Sequence, residues 1–124
     1  MNKQRFSNFN LFTIRYPFTA IISLLHRLSG LFVFLLIPFL LWLLDVAVNS
    51  EVGFSHIQDV LAEPLNKILI WFCLAALGYH FIAGVRHILM DMGWGESLRM
   101  ARVSGAFVLL VSIVWAVMTG IWLW

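Results

Sequence analysis

His80 stands inside an apolar run, at the head of the stretch HFIAGVRHILMDMG (His80 to Gly93) that also carries Arg86, His87 and Asp91. An ionisable side chain within a membrane span is costly and is a functional candidate by default. On a helix, Ala76, His80, Gly84 and His87 share one face. Small residues around an inward-facing imidazole leave clearance for a flat, bulky group. Haem iron is commonly held by an axial histidine, so haem ligation is one role for His80. The competing role is a hydrogen bond to a neighbouring helix, with Ala76 and Gly84 giving close packing. His87 lies about 10.5 Å farther along the axis, close to the reach of a haem propionate from its iron. A capping ion pair between His87 and Asp91, an i, i+4 pair, is the alternative there.

A second cluster is Ser23, His26 and Arg27. Ser23 and Arg27 are i, i+4 neighbours with His26 beside them. A hydroxyl and a guanidinium at a membrane surface could hydrogen-bond a quinone carbonyl and steady the charge that develops on its reduction. Alternatively, Arg27 snorkels to lipid headgroups while Ser23 and Ser29 bond back to their own helix. No other apolar stretch has a histidine at mid-membrane depth: His26 is near a span end and His56 lies between spans. A second histidine ligand to the same haem would therefore come from another polypeptide.

The elements that position these residues follow from composition. Of 124 residues, 62% are hydrophobic and 11% charged, with mean hydropathy +0.94. Soluble domains run nearer a quarter charged, so the expectation is a single-domain (residues 1–124) membrane protein. A bilayer core needs about 20 apolar residues in helix. Three stretches qualify, at about 28–48, 65–87 and 103–124. Alternating segments of about 10 residues, the mark of a membrane barrel, are missing, so the expected class is all-α with three transmembrane helices. A helix opening at Pro17 and reaching Leu44 would run about 42 Å, longer than the hydrocarbon, with Pro38 as a kink point. Ser23, His26 and Arg27 then fall near the membrane surface.

Lys3, Arg5, Arg15 and Arg27 precede or open the first span, and Arg86, Arg99 and Arg102 flank the second loop. Asp45, near the end of span one, and Glu51, Asp59 and Glu63, between spans one and two, face only the single Lys67 at the start of span two. The positive-inside rule then places the N-terminus in the cytoplasm and the C-terminus outside, with Trp42, Trp71, Trp94, Trp122 and Trp124 near span ends. The net charge of +2 without a basic patch argues against nucleic acid. Cys73 is the single cysteine, so no disulfide framework or metal knuckle is expected. The opening MNKQRFSNFNLF lacks the features of a secretory signal or transit peptide.

At these residues the sequence resembles the cytochrome b subunit family of succinate dehydrogenase, most closely in its proteobacterial layout. SLLHRLSG (Ser23 to Gly30) matches the pattern Ser-x-x-His-Arg-x-Ser/Thr-Gly. HFIAGVRHILMDMG matches His-x-x-x-Gly-x-Arg-His-x-x-x-Asp-x-Gly at every fixed position. The resemblance implies a membrane anchor of succinate:quinone oxidoreductase in the bacterial inner membrane, part of a heteromeric haem-binding bundle. By that resemblance His80 is the axial ligand of haem b, shared with a second anchor subunit, and Ser23 and Arg27 are quinone-site residues. His26 and His87 fall near the haem propionates. The implied partners are the second anchor, an iron–sulfur subunit and a flavoprotein that oxidises succinate elsewhere. Relatives commonly carry an adjacent Arg-Pro before the first helix, where this chain has Arg5-Phe6 and Arg15-Tyr16-Pro17. A fumarate reductase anchor of the same architecture and a haem-free scaffold or assembly protein are the alternative functions.

Overall fold

Proline at position 17 adopts extended backbone and ends the chain's freedom to continue backwards as helix, so α1 begins directly after it and runs Phe18–Asn49. The computed structural model describes residues 17–124; Lys3, Arg5 and Arg15, which contribute to the charge argument, lie outside them. Pro38 sits within α1, which continues through it as one helix. Then follow α2 (Glu51–Ala62), α3 (Pro64–Asp91) and α4 (Leu98–Leu123), and no strand occurs among the described residues.

The caps explain the breaks. Ser50 accepts a hydrogen bond from the Gly53 amide and starts α2, with Glu51 in the first turn, where an acidic residue favours the helix dipole. Pro64 occupies the first turn of α3, where its missing amide hydrogen has no cost. Ser97 accepts from the Met100 amide and opens α4. Between α3 and α4, Gly93 and Gly95 take φ values of +85° and +76°, a backbone region that side chains with a Cβ rarely enter.

Helices α1, α3 and α4 are each long and apolar enough to cross a membrane. They extend beyond the stretches read from hydropathy alone, because a helix continues into polar flanks until a cap or a proline stops it. The short α2 was not anticipated: its twelve residues mix acidic and apolar positions and read as a loop. Apolar side chains are mostly turned outward, with Phe34 67% and Trp122 78% exposed. Lipid or other chains, rather than a private core, must cover this surface.

Helix α3 packs against both α1 and α4. Its junction with α4 rests on a reciprocal device. The Trp71 indole donates to the Ala116 carbonyl at 2.7 Å, and the Trp115 indole donates to the Leu74 carbonyl at 2.9 Å. Trp115 lies so close over Gly78 that any Cβ there would overlap its ring. Replacing Gly78 by valine should therefore force the two helices apart. Overpacking of this kind costs about 1–3 kcal/mol, and a thermal melt of the purified protein in its native assembly should show a clearly lowered midpoint.

Candidate functional site

The junction of α1 with α3 uses the same device with histidines in place of tryptophans. The His80 ring lies over Gly30 of α1, where an added Cβ would come within 2.9 Å of Cε1. The His26 ring lies against Gly84 of α3, where an added Cβ would sit 3.3 Å from Nε2. The two imidazoles stack with centroids 4.4 Å apart and planes 11° from parallel. His87 joins from the other side, its centroid 4.7 Å from that of His26. His26 is thus the middle ring of a cluster built from two helices.

Hydrogen bonds fix the orientation of His80. Its Nδ1 is 3.2 Å from the His26 carbonyl oxygen and 3.1 Å from Ser29 Oγ. The Ser29 hydroxyl also donates to that carbonyl at 2.8 Å, so its oxygen is left to accept. Both neighbours of Nδ1 are acceptors, which assigns the ring proton to Nδ1 and leaves a lone pair on Nε2 in the neutral imidazole. A carbonyl accepting from one ring nitrogen is the usual support for a histidine that binds metal through the other.

His26 Nε2 and His87 Nε2 are both buried with no hydrogen-bond partner among the described residues. Buried polar atoms are rarely left so, and an unmet donor or acceptor costs about 1–3 kcal/mol. Two such atoms on adjacent rings leave hydrogen-bonding capacity that no described residue meets. No three His, Cys, Asp or Glu side chains among the described residues form a ligand set for a lone metal ion. The stacked rings present faces, not converging nitrogens, to one another.

These findings revise the sequence reading in detail. His80, Gly84 and His87 do share a face, but the clearance beside Gly84 is filled by the His26 ring. His87 turns toward His26 rather than capping its helix with Asp91, which is exposed. Arg86 leaves the cluster altogether. It is only 6% exposed and faces α4, donating to Ser104 Oγ at 2.9 Å and to the Ala101 carbonyl at 3.0 Å.

Ser23 is half-buried and Arg27 exposed, one turn apart on α1 beside His26. Neither side chain makes a hydrogen bond among the described residues, whereas Ser29 does bond back to its own helix. Gly30 and the contact of Ser29 with the His80 ring escape a reading of single side chains. The signal was present, because both residues belong to the SLLHRLSG stretch. Tyr79, also passed over, donates to the Ile22 carbonyl at 3.0 Å and ties α3 to the opening of α1.

Three long apolar helices, with a histidine cluster clasped between the first and the second of them, define an all-helical protein able to cross a membrane three times. The chain belongs to the succinate dehydrogenase/fumarate reductase transmembrane subunit family, whose profile matches residues 1–119. It is 37% identical to the succinate dehydrogenase cytochrome b556 subunit of Coxiella burnetii over the full length of both chains. The subunit of the same name from Paracoccus denitrificans is 33% identical, over 85% of this chain and 81% of that one. The succinate dehydrogenase cytochrome b560 subunit of Marchantia polymorpha is 31% identical, over 77% of this chain and 79% of its own length.

Proposed function

We propose that this chain is the cytochrome b anchor of a succinate:quinone oxidoreductase, holding haem b together with a second anchor subunit and contributing to the site of quinone reduction. The observation that carries the reading is the polarity of the histidine cluster. His80 has its Nδ1 committed to a carbonyl and a hydroxyl, so Nε2 is the nitrogen available to iron. His26 and His87 hold buried, unpartnered ring nitrogens beside it, suited to the carboxylate end of a porphyrin. The cytochrome b names of the relatives support haem as the group bound.

When bound, haem supplies a one-electron carrier within the membrane. The chain's own residues orient it. Ser29 and the His26 carbonyl hold the His80 ring in one tautomer and one rotation, and Gly30 lets that ring approach α1. His26 and His87, with Nε2 protonated, would donate to propionate oxygens.

Quinone needs a different environment, at the end of α1. Ser23, half-buried one turn before Arg27, would donate its hydroxyl hydrogen to a quinone carbonyl oxygen. Arg27, exposed beside it, supplies a fixed positive charge next to the negative charge that builds on that oxygen. Succinate is oxidised on the flavoprotein, and electrons reach quinone through the iron–sulfur subunit. The chain's part is to anchor those subunits to the bacterial inner membrane and to place quinone within their reach. Membranes from cells lacking this chain should lose succinate-dependent quinone reduction and its b-type absorbance together, and both should return on complementation. Full activity and full absorbance without the chain would refute the reading.

The asymmetry of charge orients the anchor. Basic residues gather at the start of α1 and around the α3–α4 loop, and four of the six acidic ones around α2, which favours the former in the cytoplasm. A reporter active only outside the cytoplasm should work when fused after Trp124 and fail when fused at Gly95. The reverse pattern would place Ser23 and Arg27 on the wrong side for the soluble subunits.

A further inference from the structure

Arg86 is a buried charge that this chain does not neutralise. It is 6% exposed, and its partners, Ser104 Oγ and the Ala101 carbonyl, are both neutral. The nearest acids in sequence, Asp91 and Glu96, are exposed. Asp91 lies five residues on, about 140° round the helix from Arg86. Residues 1–16 contain no Asp or Glu. A guanidinium carries five N–H donors; Nε and one Nη donate within the chain, which leaves donors for a further acceptor. Burying a charge without a counter-charge is costly, so the negative group must come from outside.

The surroundings of Arg86 indicate what that group is. It lines a cavity of about 440 Å³ between α3, the α3–α4 loop and α4. The other walls are apolar, chiefly Phe81, Val85, Leu89 and Phe107, with Trp94 of the loop at the rim. Arg86 is about 7.5 Å along the axis inward of the last residue of α3, within reach of a lipid phosphate drawn in from the headgroup level that Trp94 marks. Phe81 and Phe107 lie deeper. Charge within reach of the headgroup level and apolar walls below it match a phospholipid lying parallel to the bilayer lipids. The exposed Arg99 and Arg102 at this end are matched by the exposed Asp91 and Glu96, so the preference for an anionic headgroup rests on Arg86, whose charge a phosphate with no cation of its own neutralises.

We infer that the cleft between α3 and α4 is a binding site for an anionic phospholipid, its phosphate on Arg86 and an acyl chain along Val85 and Phe107. The site is on the opposite side of α3 from the histidine cluster and does not depend on the role proposed for the histidines.

The test uses the purified native complex, stripped of loosely held lipid and returned to nanodiscs of phosphatidylcholine with or without phosphatidylglycerol. Phospholipid retained through detergent washing is identified by mass spectrometry, and the thermal midpoint is measured in parallel. The wild-type complex should retain phosphatidylglycerol over phosphatidylcholine and melt higher in its presence, while inorganic phosphate should give no shift. Arg86→Gln keeps hydrogen-bonding capacity toward α4 but removes the charge, and should lose both the retention and the shift. Val85→Trp fills the apolar part of the cavity without touching Arg86, and should lose them as well. It decides the matter alone if the Gln variant fails to assemble. Equal retention in wild type and Val85→Trp, no preference for the anionic lipid, or a full shift with inorganic phosphate would each overturn the site. A carboxylate of another subunit found on Arg86 would do the same.

Discussion

Replacing His80 by leucine should abolish the b-type absorbance of membranes that still contain the subunit. Leucine is close in volume and apolar, so α3 should insert and pack as before. The change removes Nε2, the lone pair proposed to face iron, and frees Ser29 Oγ and the His26 carbonyl from Nδ1. Ser29→Ala provides the graded comparison. It deletes one of the two acceptors on Nδ1 and leaves the carbonyl, and losing a supporting hydrogen bond of this kind costs about 10–100-fold in metal affinity. The haem should therefore persist but bind less firmly. An unchanged low-spin spectrum in the leucine variant would remove His80 as a ligand and return the cluster to a packing role.

Arg27→Leu should lower quinone reduction more than Ser23→Ala. It removes a fixed positive charge beside the carbonyl oxygen that becomes negative. Ser23→Ala deletes one hydrogen bond, worth roughly 0.5–1.5 kcal/mol, or more to a charged group. Each 1.4 kcal/mol lost from the transition state lowers the rate about tenfold. Succinate oxidation by an artificial acceptor that draws electrons from the soluble subunits should stay close to wild type in both variants. Equal loss in the two assays would mean that Ser23 and Arg27 hold the complex together, and that Arg27 acts by snorkelling.

Much of this arrangement was legible in the sequence, for physical reasons that also mark its limits. Lipid forces backbone hydrogen bonds to be met within each crossing segment, so α1, α3 and α4 announce themselves as long apolar runs. Helix α2 has no such obligation; its start depends on the single Ser50 cap, and it reads as a loop. The shared face of His80, Gly84 and His87 follows from helical period alone. That His26 fills the space beside Gly84 does not, because the register of α1 against α3 is set by how two helices pack, which no single periodicity encodes. Arg86 and His87 are adjacent in the sequence but not in the site. Adjacent helical residues point about 100° apart, and here that rotation carries one to α4 and the other to α1.

The most direct measurement is an optical one. The intact complex containing this chain, purified under mild detergent, is recorded as a succinate-reduced minus oxidised spectrum. Bands of a six-coordinate b-type haem, purifying in constant ratio to this chain, are the predicted result. A complex that reduces quinone with succinate and shows no haem band would contradict the account, and would leave the three histidines as a clasp between two helices.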